Sequence, residues 1–171
     1  MTFSQSLLPE FDQEMKNTRK MLECVPDGKM DYQPHPKSMT MARLATHVAE
    51  LPSWATMTLD QDVLDMQPGY EPHFAKSRAE LLQIFDKSVT EARGRIAATS
   101  DEHWGQIWTF KFAGKTIMEM PRTAVIRGVV MNHLIHHRAQ LGVYLRLNDV
   151  AIPGMYGPSA DEPNLFASQG A

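Results

Sequence analysis

The chain has 171 residues, and its 17 lysines and arginines against 20 aspartates and glutamates give a formal net charge of −3. That balance argues against a nucleic-acid-binding protein that works by neutralising phosphates, because such a protein needs a basic face. An apolar content of 43% fits a globular protein, and the length predicts a single domain over residues 1–171. Cys24 is the only cysteine, which excludes an intramolecular disulfide and a zinc site with two or more cysteine ligands.

Nothing in the sequence predicts a membrane segment or a secretion signal. No apolar run reaches the roughly 20 residues that a helix needs to span a bilayer. The N-terminal residues lack the basic start and the long apolar core of a signal peptide. We therefore expect a cytoplasmic protein without a membrane partner. With a single cysteine and 7 histidines in the chain, histidine is the first residue type to examine for chemistry.

Hydrophobic periodicity predicts helices through the first third of the chain. The first helix extends over about Ser4–Val25, where apolar residues recur at helical spacing. The second begins near Ser38 or Thr40, since both are suitable N-caps. Pro52 should kink or end this helix, and Trp54–Met66 is predicted to continue it as a second segment.

The rest of the chain is predicted to contain two further long helices and a hairpin. The third helix covers about Ser77–Ala98, and the fourth covers Arg122–Leu147. Between them, residues of Ile107–Met118 alternate between apolar and polar around an Ala-Gly-Lys turn, which predicts a short β-hairpin. Four long amphipathic segments with short breaks predict an all-α four-helix bundle, with this hairpin between its third and fourth helices.

The strongest chemical signal is a pair of histidines in the predicted fourth helix. His133 and His137 are one helical turn apart, which places both imidazoles on one face, close enough to chelate one ion. Val130 and Leu141 border that face, so the pair lies on or beside the core-facing stripe. His136 lies about 60° round the helix from His133, on the other side of the stripe from His137.

A useful site needs a third ligand, because two histidines hold a transition metal weakly. His47 is the best candidate, since Leu44, Val48 and Leu51 place it beside the apolar stripe of the second helix. A bundle could bring it to His133 and His137. Three imidazoles favour Zn, Ni, Fe or Cu over Mg or Ca. They leave positions open for water or substrate, which is the arrangement of catalytic sites.

The histidine spacing also fits a polar strip without metal, in which each ring bonds to a neighbour. Two other metal enzymes are excluded by the sequence. A zinc metalloprotease needs Glu directly after the first histidine, and Leu134 stands there. A di-iron carboxylate bundle needs two Glu-x-x-His motifs, and only the reversed order His47–Glu50 is present. The remaining histidines, His35, His73 and His103, are predicted to lie in loops or at the surface.

Two charged residues next to the histidines have two interpretations each. Glu50 could orient a ligand or act as a base, or it could be a solvated surface residue. Arg138 could bind an anionic group of a substrate, or it could be an exposed helix residue. The sequence alone leaves these alternatives open.

Three stretches carry a resemblance to a known family. They are the opening helix from Phe11 to Pro26, the segment Pro34-His35-Pro36-Lys37-Ser38 with Leu44-Ala45-x-His47-x-Ala49-Glu50-Leu51-Pro52-x-Trp54, and the segment Asn132-His133-Leu134-Ile135-His136-His137-Arg138-Ala139-Gln140-Leu141 with Tyr144-Leu145-Arg146 and Tyr156-Gly157-Pro158-Ser159-Ala160-Asp161-Glu162. They extend over nearly the whole chain and resemble the DinB family, bundle proteins named for damage-inducible expression. Ala139 stands where the family often has Gly after His-His-Arg.

This resemblance implies an up-up-down-down four-helix bundle and a homodimer. It also implies a divalent transition metal held by His47, His133 and His137, with Zn or Ni first and Fe, Mn or Cu as alternatives. Relatives include metal-dependent thiol transferases and a mycothiol-dependent maleylpyruvate isomerase. In these enzymes the metal activates the thiol of a low-molecular-weight cofactor.

Four hypotheses for the function result. The first is a metal-dependent S-transferase, in which a low-molecular-weight thiol attacks a small-molecule electrophile and Glu50 or His136 accepts the proton. The second is a metal-dependent hydrolase that uses activated water as the nucleophile. The third is a metal-binding or stress-associated interaction module without catalysis. The fourth is a helical dimer with buried histidines and no metal.

Overall fold

The computed structural model describes residues 1–163, and helices account for most of them. The helices are α1 (Phe3–Glu23), α2 (Met41–Glu50), α3 (Ser53–Asp60), α4 (Arg78–Ala98), α5 (Asp101–Gly105), α6 (Arg122–Val125) and α7 (His133–Arg146), with a short 3₁₀ turn at Asp27–Lys29. A π-helical stretch, Ile126–Asn132, joins α6 to α7. The strands β1 (Val63–Met66), β2 (Ile107–Phe112) and β3 (Lys115–Pro121) form one sheet.

The core lies between the long helices. α1 packs against α4, α2 packs against both α4 and α7, and α7 also contacts α1. Their apolar stripes supply fully buried side chains, among them Phe11 of α1, Leu44 of α2, Phe85 of α4 and Leu134 of α7. None of the helices within residues 1–163 has the length and apolarity that crossing a membrane requires. The fold is therefore mostly helical, and the up-up-down-down order of four helices stays a prediction.

The prediction that Trp54–Met66 is helical is wrong in its second half. α3 ends at Asp60, and Val63–Met66 forms strand β1, which pairs in parallel with β2. Leu64 and Met66 are half-buried while their neighbours are exposed, which is the two-residue period of a strand. The hydrogen-bonding partner of β1 lies far along the chain in β2, so local periodicity could not show the pairing.

A buried arginine explains why α3 stops where it does. The Arg122 guanidinium donates to the carbonyl oxygens of Thr58 at 3.0 Å, Gln61 at 3.3 Å and Ile107 at 3.2 Å. It also forms an ion pair with Asp62 at 2.5 Å. Carbonyls at a helix C-terminus lack partners within the helix, and Arg122 supplies them here. One side chain thus ends α3 and attaches it to the sheet.

The predicted hairpin is confirmed. β2 and β3 run antiparallel and are joined by Ala113 and Gly114, whose φ values are 48° and 78°. Positive φ at both loop residues is the geometry of the two-residue turn that matches the twist of a β-ribbon. β3 continues to Pro121, beyond the predicted end at Met118.

The predicted last helix is confirmed over Arg122–Arg146, with one difference. The periodicity did not predict the π-helical stretch in its first half. In such a stretch each backbone N–H bonds the carbonyl five residues back, instead of four as in an α-helix. The histidine pair begins at the residue directly after this stretch.

Candidate metal centre

The fold brings together the three histidines singled out by the sequence. His47 projects from α2, which packs against α7, and its side chain is 23% exposed. The centre of its ring lies 5.0 Å from that of His133 and 4.8 Å from that of His137. The rings of His133 and His137 are themselves 4.6 Å apart. Residues separated by 86 positions in the chain therefore form one cluster.

The backbone at the end of the π-helical stretch contacts the His133 ring. The backbone N–H of His133 donates to the Val130 carbonyl. In an uninterrupted α-helix it would donate to the Val129 carbonyl, four residues back. That carbonyl instead accepts from His133 Nδ1 at 3.2 Å. A carbonyl oxygen beside Nδ1 favours the tautomer with the proton on Nδ1, in which Nε2 carries the lone pair.

The other two rings are held in the same way. His47 Nδ1 faces Glu50 Oε1 at 3.5 Å, and His137 Nδ1 faces Gln140 Oε1 at 2.7 Å. An oxygen acceptor beside each Nδ1 favours the tautomer with the proton on that nitrogen. Each Nε2 then presents a lone pair, which is the form of imidazole that binds metals.

Ligand nitrogens of the three rings all lie within 4.8 Å of one another. His133 Nε2 lies 3.4 Å from His47 Nε2 and 2.9 Å from His137 Nε2. Zn–N bonds of about 2.0–2.1 Å in tetrahedral geometry place ligand nitrogens about 3.3 Å apart, close to the His47–His133 distance and longer than the His133–His137 distance. In that tautomer the lone pairs of the three rings face one another and repel, and a cation between them would replace the repulsion with attraction. The group could therefore hold a metal ion.

The electrostatics of the cluster also suit a metal. Burial lowers the pKa of His137 to about 4 against the opposing effect of its hydrogen bond to Gln140. Burial, together with the nearby His47, lowers the pKa of His133 as well. Both rings are neutral at pH 7, so no proton has to be displaced before a metal binds.

The cluster opens into a cavity of about 840 Å³. Its polar lining residues are Arg43, His47, Glu50, Ser53, His73, His133 and His137, and its apolar lining residues are Met39, Trp54, Met57, Leu64, Met66, Tyr70, Pro72 and Phe74. The histidines thus lie at the wall of a space large enough for a small-molecule ligand.

The structure separates the three other candidate site residues, Glu50, His136 and Arg138. Glu50 lines the cavity, one turn beyond His47. His136 is exposed, and its ring contacts that of His137 but does not line the cavity. Arg138 is 2% exposed and pairs with Glu14 at 2.7 Å. Neither interpretation of Arg138 was right: it is neither exposed nor directed at the cavity, because a buried carboxylate on α1 binds it.

Several lining residues were not identified from the sequence. Arg43 precedes His47 by one turn, a spacing that sequence inspection could have used. Leu64 and Met66 alternate as strand residues do, but they were assigned to a helix. His73 is an exposed loop residue, as predicted, and it also borders the cavity and pairs with Glu80 at 2.7 Å.

Replacing Gln140 with Ala should weaken metal binding without removing a ligand. His137 Nδ1 would lose its acceptor, and loss of such an outer partner typically costs about 10–100-fold in metal affinity. Competition with a chelating dye for Zn measures this effect. Gln140→Glu keeps an acceptor oxygen and should stay near the wild-type affinity. Equal affinity of Gln140→Ala and wild type would show that Gln140 does not orient the ring.

Comparison with known proteins identifies relatives of the same fold. A model of the DinB family matches residues 1–169. The chain is 23% identical over 155 residues to the uncharacterized protein YrdA of Bacillus subtilis strain 168. This alignment covers 91% of this chain and 89% of YrdA. A DinB-like protein from Bacillus cereus has a similar structure, with a TM-score of 0.68 and 19% identity over 89% of this chain and 97% of that chain. YjoA, a DinB-like protein from Bacillus subtilis, aligns with a TM-score of 0.66 and 15% identity over 88% of this chain and 97% of that chain. Because the family model extends over almost the entire sequence, the chain belongs to the DinB family.

Proposed function

We propose that this protein is a metal-dependent enzyme that transfers a low-molecular-weight thiol to a small-molecule electrophile. His47, His133 and His137 would bind one divalent transition ion, with Zn or Ni first and Fe, Mn or Cu as alternatives. The single observation that carries the proposal is the clustering of three histidine rings at the wall of a cavity, with His133 Nε2 within 3.4 Å of the Nε2 atoms of His47 and His137. A purely structural site would be closed by a fourth protein ligand.

The chain itself supplies the positioning groups. When bound, the ion would supply positive charge that stabilises a thiolate over the thiol. Glu50 lines the cavity beside His47, where its carboxylate can accept the thiol proton. We favour Glu50 over His136 for this role, because the exposed His136 ring does not line the cavity.

A small-molecule thiol fits the site better than a protein thiol. Cys24 is the only cysteine of the chain, and it caps the end of α1, away from the residues that line the cavity. Burial also raises the pKa of the Cys24 thiol, so it is a poor nucleophile. The sulfur would therefore come from a soluble co-substrate. Membership of the DinB family supports the proposal, since that family includes thiol transferases; the homodimer that it implies stays a prediction.

Metal analysis and a thiol screen on the untagged protein test this function. Elemental analysis should find about one transition ion per chain. Turnover of a model electrophile should then be measured with glutathione, bacillithiol and mycothiol, each with and without a chelator. A rate that needs both metal and thiol supports the proposal.

Three results of the same experiment would contradict it. A metal-dependent rate without any thiol would identify a hydrolase instead. Bound metal with no metal-dependent rate for any thiol would leave a metal-binding module. Failure to bind metal even after dialysis against Zn and Ni would leave the histidines as a buried polar cluster.

A further inference from the structure

One arginine at the cavity differs from all the others that the structure describes. The guanidinium of Arg43 has no ion pair and no hydrogen bond within residues 1–163. All other arginines in this part of the chain have protein partners. Arg78 donates to the Glu23 carbonyl, and carboxylates pair with Arg19, Arg93, Arg95, Arg122, Arg127, Arg138 and Arg146. This exposed side chain therefore offers its five planar donors to a ligand at the edge of the cavity.

The position of Arg43 ties it to the histidine cluster. Arg43 and His47 lie one turn apart on α2, so they share a face with Cβ atoms about 5–6 Å apart. Both residues line the same cavity. Glu50 lies on the opposite side of His47 along the helix. The polar wall of the cavity thus runs from a cation, through an imidazole, to a carboxylate.

A second part of the cavity wall is apolar. Trp54, Met57, Leu64 and Met66 line it with half-buried side chains from α3 and β1. The ring of Trp54 also packs edge-on against Phe110 of β2, at 6.0 Å between ring centres, which fixes this wall to the sheet. A ligand that fills the cavity must therefore offer an apolar surface to this wall.

We infer that the ligand of this cavity is a small carboxylic acid with an apolar body, and that Arg43 binds its carboxylate. A guanidinium matches a carboxylate with two parallel hydrogen bonds, and such charged bonds are stronger than neutral ones. The apolar body lies against Trp54 and Met57. Glu50 repels an anion, so the acid binds with its carboxylate at the Arg43 end of α2. As the substrate class of the transfer reaction, this inference rests on the proposed function.

Matched probes test the role of Arg43 by binding alone. Titration calorimetry should compare phenylacetate, 3-phenylpropionate and 4-phenylbutyrate with the corresponding alcohols, on metal-free and on Zn-loaded protein. At least one acid should bind about tenfold or more tightly than its alcohol, also without metal, as expected for a charge-assisted pair. Arg43→Met should abolish this preference, and Arg43→Lys should keep part of it. Arg95→Met, which removes an exposed arginine of α4 outside the cavity lining, should change nothing.

The outcomes separate this inference from the proposed function. A preference for the acid that survives Arg43→Met overturns the inference, and if it also needs Zn, the carboxylate binds the metal. Equal affinities for acid and alcohol, or no saturable binding of any acid, overturn it as well. A preference that needs Arg43 in protein that never binds metal would support the anion site and contradict only the metal-dependent transfer.

Discussion

His133→Ala is expected to abolish stoichiometric metal binding. His133 Nε2 lies 3.4 Å from His47 Nε2 and 2.9 Å from His137 Nε2, so its loss removes the atom that both others approach. The decrease in Zn affinity should exceed the roughly 100-fold that marks the upper range for an outer-shell partner. Elemental analysis after dialysis against Zn, combined with dye competition, measures both quantities.

His136→Ala is the matched control for this loss. It removes an exposed imidazole from the same helix and leaves the three converging nitrogens in place, so about one ion per chain should remain. Thermal unfolding of both variants without metal shows whether the helix itself is intact. A folded His133→Ala protein that still binds one ion with wild-type affinity would contradict the three-histidine site.

Arg138→Met should cause a large loss of stability. Arg138 and Glu14 are 2% and 8% exposed at the side chain, and their ion pair joins α7 to α1. Removal of one partner leaves a buried charge without compensation, which typically costs about 3–5 kcal/mol. Urea unfolding monitored by circular dichroism measures the change in the free energy of unfolding.

The cost should be high because Arg138 has several partners. Its guanidinium also donates to the Glu14 carbonyl and the Thr18 hydroxyl, each at 3.1 Å. The Tyr156 hydroxyl accepts from Arg138 at 2.6 Å and donates to the Glu14 carboxylate at 2.8 Å. Burial and the Glu14 hydrogen bond raise the pKa of Tyr156, so its hydroxyl keeps the donated proton at neutral pH. Loss of Arg138 therefore affects two helices and the C-terminal segment together.

Two further variants identify the origin of that loss. Arg93→Met removes an exposed ion pair between α4 and Asp12 of α1 and should cost only about 0–1 kcal/mol. The double variant Glu14→Leu/Arg138→Met removes both buried charges and should recover part of the stability lost in Arg138→Met. If the double variant is no more stable than Arg138→Met, the loss reflects packing rather than an unpaired charge.

The sequence predicted the parts of this protein that depend on local spacing. One helical turn between His133 and His137, and the apolar stripe beside His47, were enough to single out the cluster that the structure brings together. The hairpin was predicted from its alternation and turn residues. These features need no knowledge of distant partners.

The predictions that were wrong or missing concern contacts between residues far apart in the chain. β1 pairs with the distant β2, and Arg122, far along the chain, binds the Thr58 carbonyl near the end of α3. The main-chain partner of Arg138 on α1 lies 124 positions away in the chain, so the sequence could not show that this arginine is buried. The anion-binding capacity of Arg43 depended on the absence of a partner, which only the assembled fold reveals.

Because of the π-helical stretch before His133, the site depends on the number of residues in this part of the helix as well as on the identity of its side chains. Each residue added to or removed from a helix rotates the downstream part of that helix by about 100°. A deletion at the exposed Gly128 that restored regular α-helix would keep both sides helical but change the angle between the segment around Val125 and the histidine pair. Either the core contacts of Val125 and Ile126 or the approach of His133 to His47 would then be lost. Among homologous sequences, a one-residue gap at Gly128 would thus mark proteins in which the three histidines no longer form a cluster, even where every histidine was retained.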